Sequence, residues 1–264
     1  MSQDKDEKVK SLINSGSEIT GSAVGGALGF VLGGPGGAAA GGALGVMTAK
    51  ALNDVARRFL SAREEIRVGA AATYAITRIQ AYLKDGRTPR SDSFFETDDS
   101  NRSKAEEIFE GVLLKAKNEH EEKKIRIIGN IFANVAFVQA FSINEANHLL
   151  KIAENLTYRQ FCVLALFERK KELNLTNLRK EDYRGIGKIT FDTYSLLEEI
   201  YELIRMGLVF CQNEKGDGNE FLLGGVDIKP DRLYLGEIGK RYYQMMGLVD
   251  VHTDDLLGIV KDLE

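Results

Sequence analysis

Few residues in this 264-residue chain are spaced for chemistry. Glu145-Ala-Asn-His148 has the Glu-x-x-His spacing that sets a carboxylate and an imidazole on one helical face, the arrangement of di-iron bundles. Such a centre needs two copies and further glutamates, and this chain has one copy. Glu145 also completes a capping box, Ser142-Ile-Asn-Glu145, which engages its carboxylate with a backbone N–H. His120-Glu-Glu-Lys-Lys lacks the second histidine that would bind zinc on the same helical face. Gly185-Ile-Gly187-Lys188-Ile189 carries a phosphate-loop lysine, yet no Ser or Thr follows it and the first glycine is misplaced. Asp92, Asp98 and Asp99 offer hard oxygen ligands, but not at calcium-loop spacing, and read as solvated acids. No Gly-x-Ser-x-Gly elbow occurs. An enzyme is not expected, nor a metal site, nor a cofactor.

Composition narrows the class further. Thirty-five Lys plus Arg against 39 Asp plus Glu give a net charge of −4, which disfavours a polybasic nucleic-acid binder. Hydrophobic residues at 44% and charged residues at 28% belong to a globular chain. Cys162 and Cys211 both lie in apolar segments, so a disulfide scaffold is not expected and a reducing cytoplasm fits. The opening MSQDKDEKVK is highly charged and reads as no secretion signal. Three prolines and no tryptophan suit a mainly helical protein.

Glycine placement is the most informative feature. Of 27 glycines, 11 fall between Gly21 and Gly45, and Gly21, Gly25, Gly29, Gly33, Gly37, Gly41 and Gly45 repeat every four residues. From Ile19 to Ala49 no side chain is charged, a run of 31 residues. Between the glycines stand Val24, Leu28, Phe30, Val31 and Leu32, then Leu44, Val46 and Met47. A flexible linker needs neither a strict period nor such large apolar residues. A period of four lines the glycines along one helical face. Each helical glycine costs roughly 1 kcal/mol relative to alanine, so the seven outside the Gly33–Gly37 turn cost on the order of 7 kcal/mol. Close backbone approach between helices is the gain that offsets this cost. The stretch resembles the glycine-zipper segments of membrane-active and pore-forming proteins. Pro35, between glycine pairs, predicts a turn and hence a helical hairpin, a bent single span being the other option. Each uncharged arm is only about 20 Å long, short of a ~30 Å hydrocarbon core. That suits a conditional inserter better than a constitutive anchor.

The second arm is predicted to run on through ALNDVARRFLSAREEIRVGAAATYAITRIQAYLKDG, where Leu52, Val55, Phe59, Ile66, Tyr74, Ile76, Ile79 and Leu83 keep a helical period. Gly86 and Pro89 mark its end. Residues 87–102, RTPRSDSFFETDDSNR, read as a linker whose Phe94 and Phe95 tuck against the core. Ser103-Lys-Ala-Glu106 opens a helical stretch expected to reach about Phe141. Capping boxes at Ser142 and at Thr157-Tyr-Arg-Gln160 start helices of about 13 and 16 residues.

From Thr157 onward the order of elements resembles a winged helix: a first helix YRQFCVLALFERKKEL, a broken region, a third helix FDTYSLLEEIYELIRMG, then LVFC, a turn at NEKGDGN, FLLGG, RLYL, and the helix EIGKRYYQMMGL. Winged helices often bind DNA through the third helix and the wing. Here that helix carries Asp192, Glu198, Glu199 and Glu202 against Arg205, and the wing carries Glu214, Asp217 and Glu220 against Lys215. Nucleic acid is therefore not the expected partner, since phosphate contacts need Lys or Arg. Thr253-Asp-Asp ahead of LLGIVKDL predicts a short capped terminal helix.

The expected architecture is a charged tail (1–16), a glycine-zipper hairpin and long amphipathic helix (17–86), a linker (87–102), a helical bundle (103–156), a winged-helix-like domain with a small β-hairpin (157–249) and a C-terminal helix (250–264). The expected function is a self-associating effector that perturbs membranes through the zipper glycines, while Val24, Leu28, Phe30, Val31, Leu32, Leu44 and Met47 meet lipid. The expected partners are further copies of the chain, a conditionally engaged membrane, and a protein partner or trigger. Phage defence or a toxin system is the role this suggests, with the chain cytoplasmic until triggered. The alternative is a soluble scaffold or adaptor with a protein-binding winged helix, and behind it a DNA-binding regulator.

Overall fold

The computed structural model describes residues 61–264 apart from residues 98, 100–101, 188 and 217. The glycine-rich segment, with every residue expected to form the zipper or meet lipid, lies outside the described residues. Within them the chain is mainly helical: eight α-helices and one two-stranded sheet. The chain divides into two compact units, residues 1–155 and 156–264.

The described part of the first unit holds α1 (Ala62–Lys84), α2 (Lys104–Asn118), α3 (Lys124–Val135) and α4 (Ile143–Asn155). The amphipathic helix does not run unbroken through Ser61. Ser61 is extended (φ −69°, ψ 158°) and starts α1 through a reciprocal capping box with Glu64. The Ser-Ala-Arg-Glu sequence there is itself that signature. At its other end α1 stops at Lys84, and Gly86 takes the left-handed φ of +77° that ends helices.

The helix expected from Ser103 to Phe141 is two helices. Glu119 is extended, and its carboxylate accepts the N–H groups of His120 (2.8 Å) and Glu121 (2.9 Å), so the chain turns before α3 begins. Good helix formers surround this break, and side-chain capture of backbone donors overrides their propensity. α3 is buried on every side from Ile127 to Val135 and packs on α1, α2 and α4. Its approach to α1 depends on Gly129: a Cβ there would sit 2.5 Å from the Ala71 carbonyl oxygen. Around that crossing α1 presents Val68, Ala71, Ala72 and Ala75, all buried. Small residues on one helix and glycine on the other let the backbones meet.

The segment read as a linker is fastened to this unit. The Arg90 guanidinium is buried and donates to the carbonyls of Phe141 (2.9 Å), Gln139 (3.3 Å) and Val135 (3.4 Å), and to both carboxylate oxygens of Asp92. Phe94 is fully buried and Phe95 is half-buried, with their rings edge to face.

The second unit holds α5 (Tyr158–Glu168), α6 (Phe191–Arg205), β1 (Val209–Cys211), β2 (Leu233–Leu235), α7 (Glu237–Met246) and α8 (Thr253–Leu263). α5 ends five residues before Leu173, the expected end, because Arg169 turns away to donate to the Val251 carbonyl (2.9 Å) and the Thr253 hydroxyl (3.1 Å). With its hydroxyl so engaged, Thr253 does not cap α8; His252 is the N-cap residue, without a side-chain bond. α6 faces inward through Leu196, Leu197, Ile200 and Leu203, the spacing of a single helical stripe.

β1 pairs antiparallel with β2, Val209 opposite Leu235 and Cys211 opposite Leu233. FLLGG is not a strand of this sheet. The turn about Gly216 closes a short hairpin through Asn213 N–H to the Gly218 carbonyl and Glu220 N–H to the Cys211 carbonyl, both 2.8 Å, and regular pairing ends there. Gly239 lets α7 close on the start of β1, since a Cβ would sit 2.0 Å from the Leu208 carbonyl oxygen.

Candidate functional site

Several of the titratable groups singled out from the sequence are engaged in structural work. The Glu145 carboxylate accepts the Ser142 N–H (2.8 Å), as its capping box requires, and His148 is exposed one turn on. Glu119, His120 and Glu121 bring their ligand atoms within 4.8 Å of one another. Glu119, however, is buried against the Lys124 ammonium at 2.6 Å while holding two backbone N–H groups. Burial pushes its carboxyl up, and Lys124 with those N–H donors outweighs this, holding it below the usual carboxylate range. Lys124 donates also to the Glu154 carbonyl (3.2 Å), which ties the start of α3 to the end of α4. This group is a structural ion pair. Asp92 serves Arg90, and Lys188 and Asp98 lie outside the described residues.

Part-buried polar contacts in the second unit likewise hold its elements together. The Tyr158 hydroxyl donates to Asp255 at 2.8 Å, linking α5 to α8; burial and this carboxylate both raise its pKa. Arg159 grips both oxygens of Glu199, at 2.9 and 2.8 Å, linking α5 to α6. Lys229 holds Glu220 (2.8 Å) and Glu214 (3.4 Å) at the base of the short hairpin.

What stands out instead is apolar surface on the second unit. Phe191 is 84% exposed and Tyr194 46%, both on the face of α6 opposite its buried stripe. Phe221 is 86% and Leu223 77% exposed, while Leu222 between them is buried. The Tyr201 hydroxyl donates to the Leu222 carbonyl (3.4 Å), and Leu223 N–H donates to the Asp227 carboxylate (2.8 Å). Asp227 is buried and also pairs with Arg184 at 3.2 Å. Gly225 lies so close to α6 that a Cβ would meet the Leu197 carbonyl oxygen and the Glu198 carboxylate at 2.9 Å each. Residues 222–225 thus run antiparallel to α6, Leu222 beside Tyr201 and Gly225 beside Glu198. Phe221 and Leu223 are carried by one wall of this seam, and Tyr194 and Phe191 lie one and two turns before Glu198 on the helix that forms the other. Large apolar side chains exposed together are a feature of interaction surfaces.

Sequence reasoning missed this seam because FLLGG, following the turn at NEKGDGN, reads as part of the wing hairpin. A helical wheel of α6 contained half the signal: Phe191 and Tyr194 are out of phase with Leu196, Leu197, Ile200 and Leu203.

Among the described residues no helix is long and apolar enough to cross a membrane. Comparison with protein-family models, with curated proteins and with solved structures finds no match to this chain.

Proposed function

We propose that this protein is a non-enzymatic, self-associating effector that perturbs membranes through its glycine-zipper segment and is controlled by a winged-helix-like second unit that answers a protein trigger. One observation carries the reading: seven glycines at strict four-residue spacing inside a 31-residue uncharged run. Glycine at that period costs helix stability and is repaid where two helix backbones meet. The large apolar residues between the glycines then have no aqueous solution except burial, in lipid or against another copy. The winged-helix-like description is supported by the succession α5, α6, β1, wing, β2, α7. The acidic α6 and wing favour a protein over a nucleic acid. Host-protective cell killing, as in phage-defence or toxin systems, is the role such a design fits by analogy.

A test uses the purified full chain and vesicles loaded with a self-quenched dye. Release by wild type that disappears in Gly29→Leu, with both proteins folded by circular dichroism, supports the zipper as the membrane element. Equal release by both variants assigns the effect elsewhere. The second reading is a scaffold or adaptor, favoured by the exposed apolar seam of the second unit. It predicts no release, with Gly29→Leu lowering thermal stability instead.

A further inference from the structure

We propose that the seam between α6 and residues 221–225 is the docking surface for the trigger, and that its occupant is a protein segment with two apolar anchors bracketing a lysine or arginine. This rests on the reading of the second unit as the trigger-responsive part. The anchors are required by Phe191 and Tyr194 on the first two turns of α6 and by Phe221 and Leu223 on the facing wall, exposed apolar side chains among which the aromatics are enriched at interfaces.

The central cation follows from charge. Glu199, Glu220 and Asp227 are neutralised by Arg159, Lys229 and Arg184. Among the described residues no cation pairs with Glu198, nor with Glu202 one turn on, and Glu198 stands midway along the outer face of α6, beside Gly225. Among the described residues of α6 the one basic side chain is Arg205, at the end of this face, while Glu198 and Glu202 leave its middle acidic, so the complementary charge there is positive. The second unit as a whole carries 15 basic and 19 acidic side chains, against 20 of each in the first. From Phe191 to Arg205 the face is about 20 Å long at 1.5 Å per residue. A helix of about 14 residues or an extended segment of about six would span it. The presenting wall is fixed before binding by Tyr201, Asp227 and the Gly225 contact, which reduces the ordering cost of association.

The experiment selects a displayed library of random 16-residue peptides on the immobilised full chain, then measures the enriched peptides by fluorescence anisotropy. Enriched sequences are expected to carry a Lys or Arg between two apolar residues. Phe221→Ser/Leu223→Ser is expected to weaken binding at least tenfold with an unchanged circular dichroism spectrum, because both side chains are exposed. Glu198→Lys is expected to reverse the preference toward acidic peptides while leaving the apolar anchors selected. No enrichment, or affinity unmoved by the serine pair, overturns the proposal. So does a serine-pair effect on self-association in sedimentation, on anionic-vesicle binding or on DNA binding, since each puts a different occupant on the seam. The two readings fail separately. Peptide selection without membrane activity sinks the effector and leaves the docking surface, whereas membrane activity without selection does the reverse.

Discussion

Lys124 takes an ammonium group into the core of the first unit, and Glu119 at 2.6 Å makes that tolerable. Removing the acid leaves the cation with the Glu154 carbonyl and the more distant Glu121 carboxylate, so Glu119→Ala is expected to cost about 2–4 kcal/mol. The measure is a lower denaturant midpoint at unchanged slope. The pair also sets an acid limb. Because the Glu119 carboxyl is held below its ordinary value of 4.5, its stabilisation is fully present above that pH and is lost as pH falls through the lower folded value. Wild type should therefore lose stability below about pH 4.5 more steeply than Glu119→Gln, compared by thermal melting across pH 3–6. None of this was legible in Asn118-Glu-His-Glu-Glu-Lys-Lys124. Every one of these residues also suits a solvated helix, and only the tertiary fold decides which carboxylate meets which ammonium. Arg90 is the same lesson: in a polar stretch it reads as a solvated linker residue, and its three carbonyl partners are supplied by residues 45 to 51 positions away.

Elements were legible where their signals are local. The Ser103, Ser142 and Thr157 capping boxes form as written, since each needs only four consecutive residues. The Ser61 box uses the same code inside a longer apolar period, and there the period hid the cap. Ser61→Ala is expected to cost about 1 kcal/mol and to fray the start of α1, read by hydrogen exchange over residues 62–66. The α1–α3 crossing gives a sharper test. Gly→Ala within a helix ordinarily stabilises by about 1 kcal/mol. At Gly129 the added methyl meets the Ala71 carbonyl at 2.5 Å, so Gly129→Ala should destabilise by about 1–3 kcal/mol instead. A stabilised Gly129→Ala would show that the two helices can part without cost. The shortened α5 and the missing FLLGG strand were beyond sequence reading for a shared reason. Propensity describes a segment in isolation, while Arg169 is turned by residues 251–253 and β1 takes its partner from 233–235.

For the whole molecule, charge distribution constrains partners more tightly than fold does. With acids in excess on the second unit, the full chain should give no mobility shift with double-stranded DNA even at 20 mM salt; a shift that fades with added salt would revive a regulator. The mainly helical class was readable from periodicity and from scarce proline, and the glycine period is the feature on which function turns. The measurement that tests it most directly is dye influx in cells expressing wild type beside Gly29→Leu/Gly33→Leu at matched protein levels, with the selected seam-binding peptide co-expressed as trigger. Influx with wild type and none with the double variant is the predicted result. Influx from both, or from neither while wild type is abundant and peptide-bound, would contradict a membrane effector that works through its glycines.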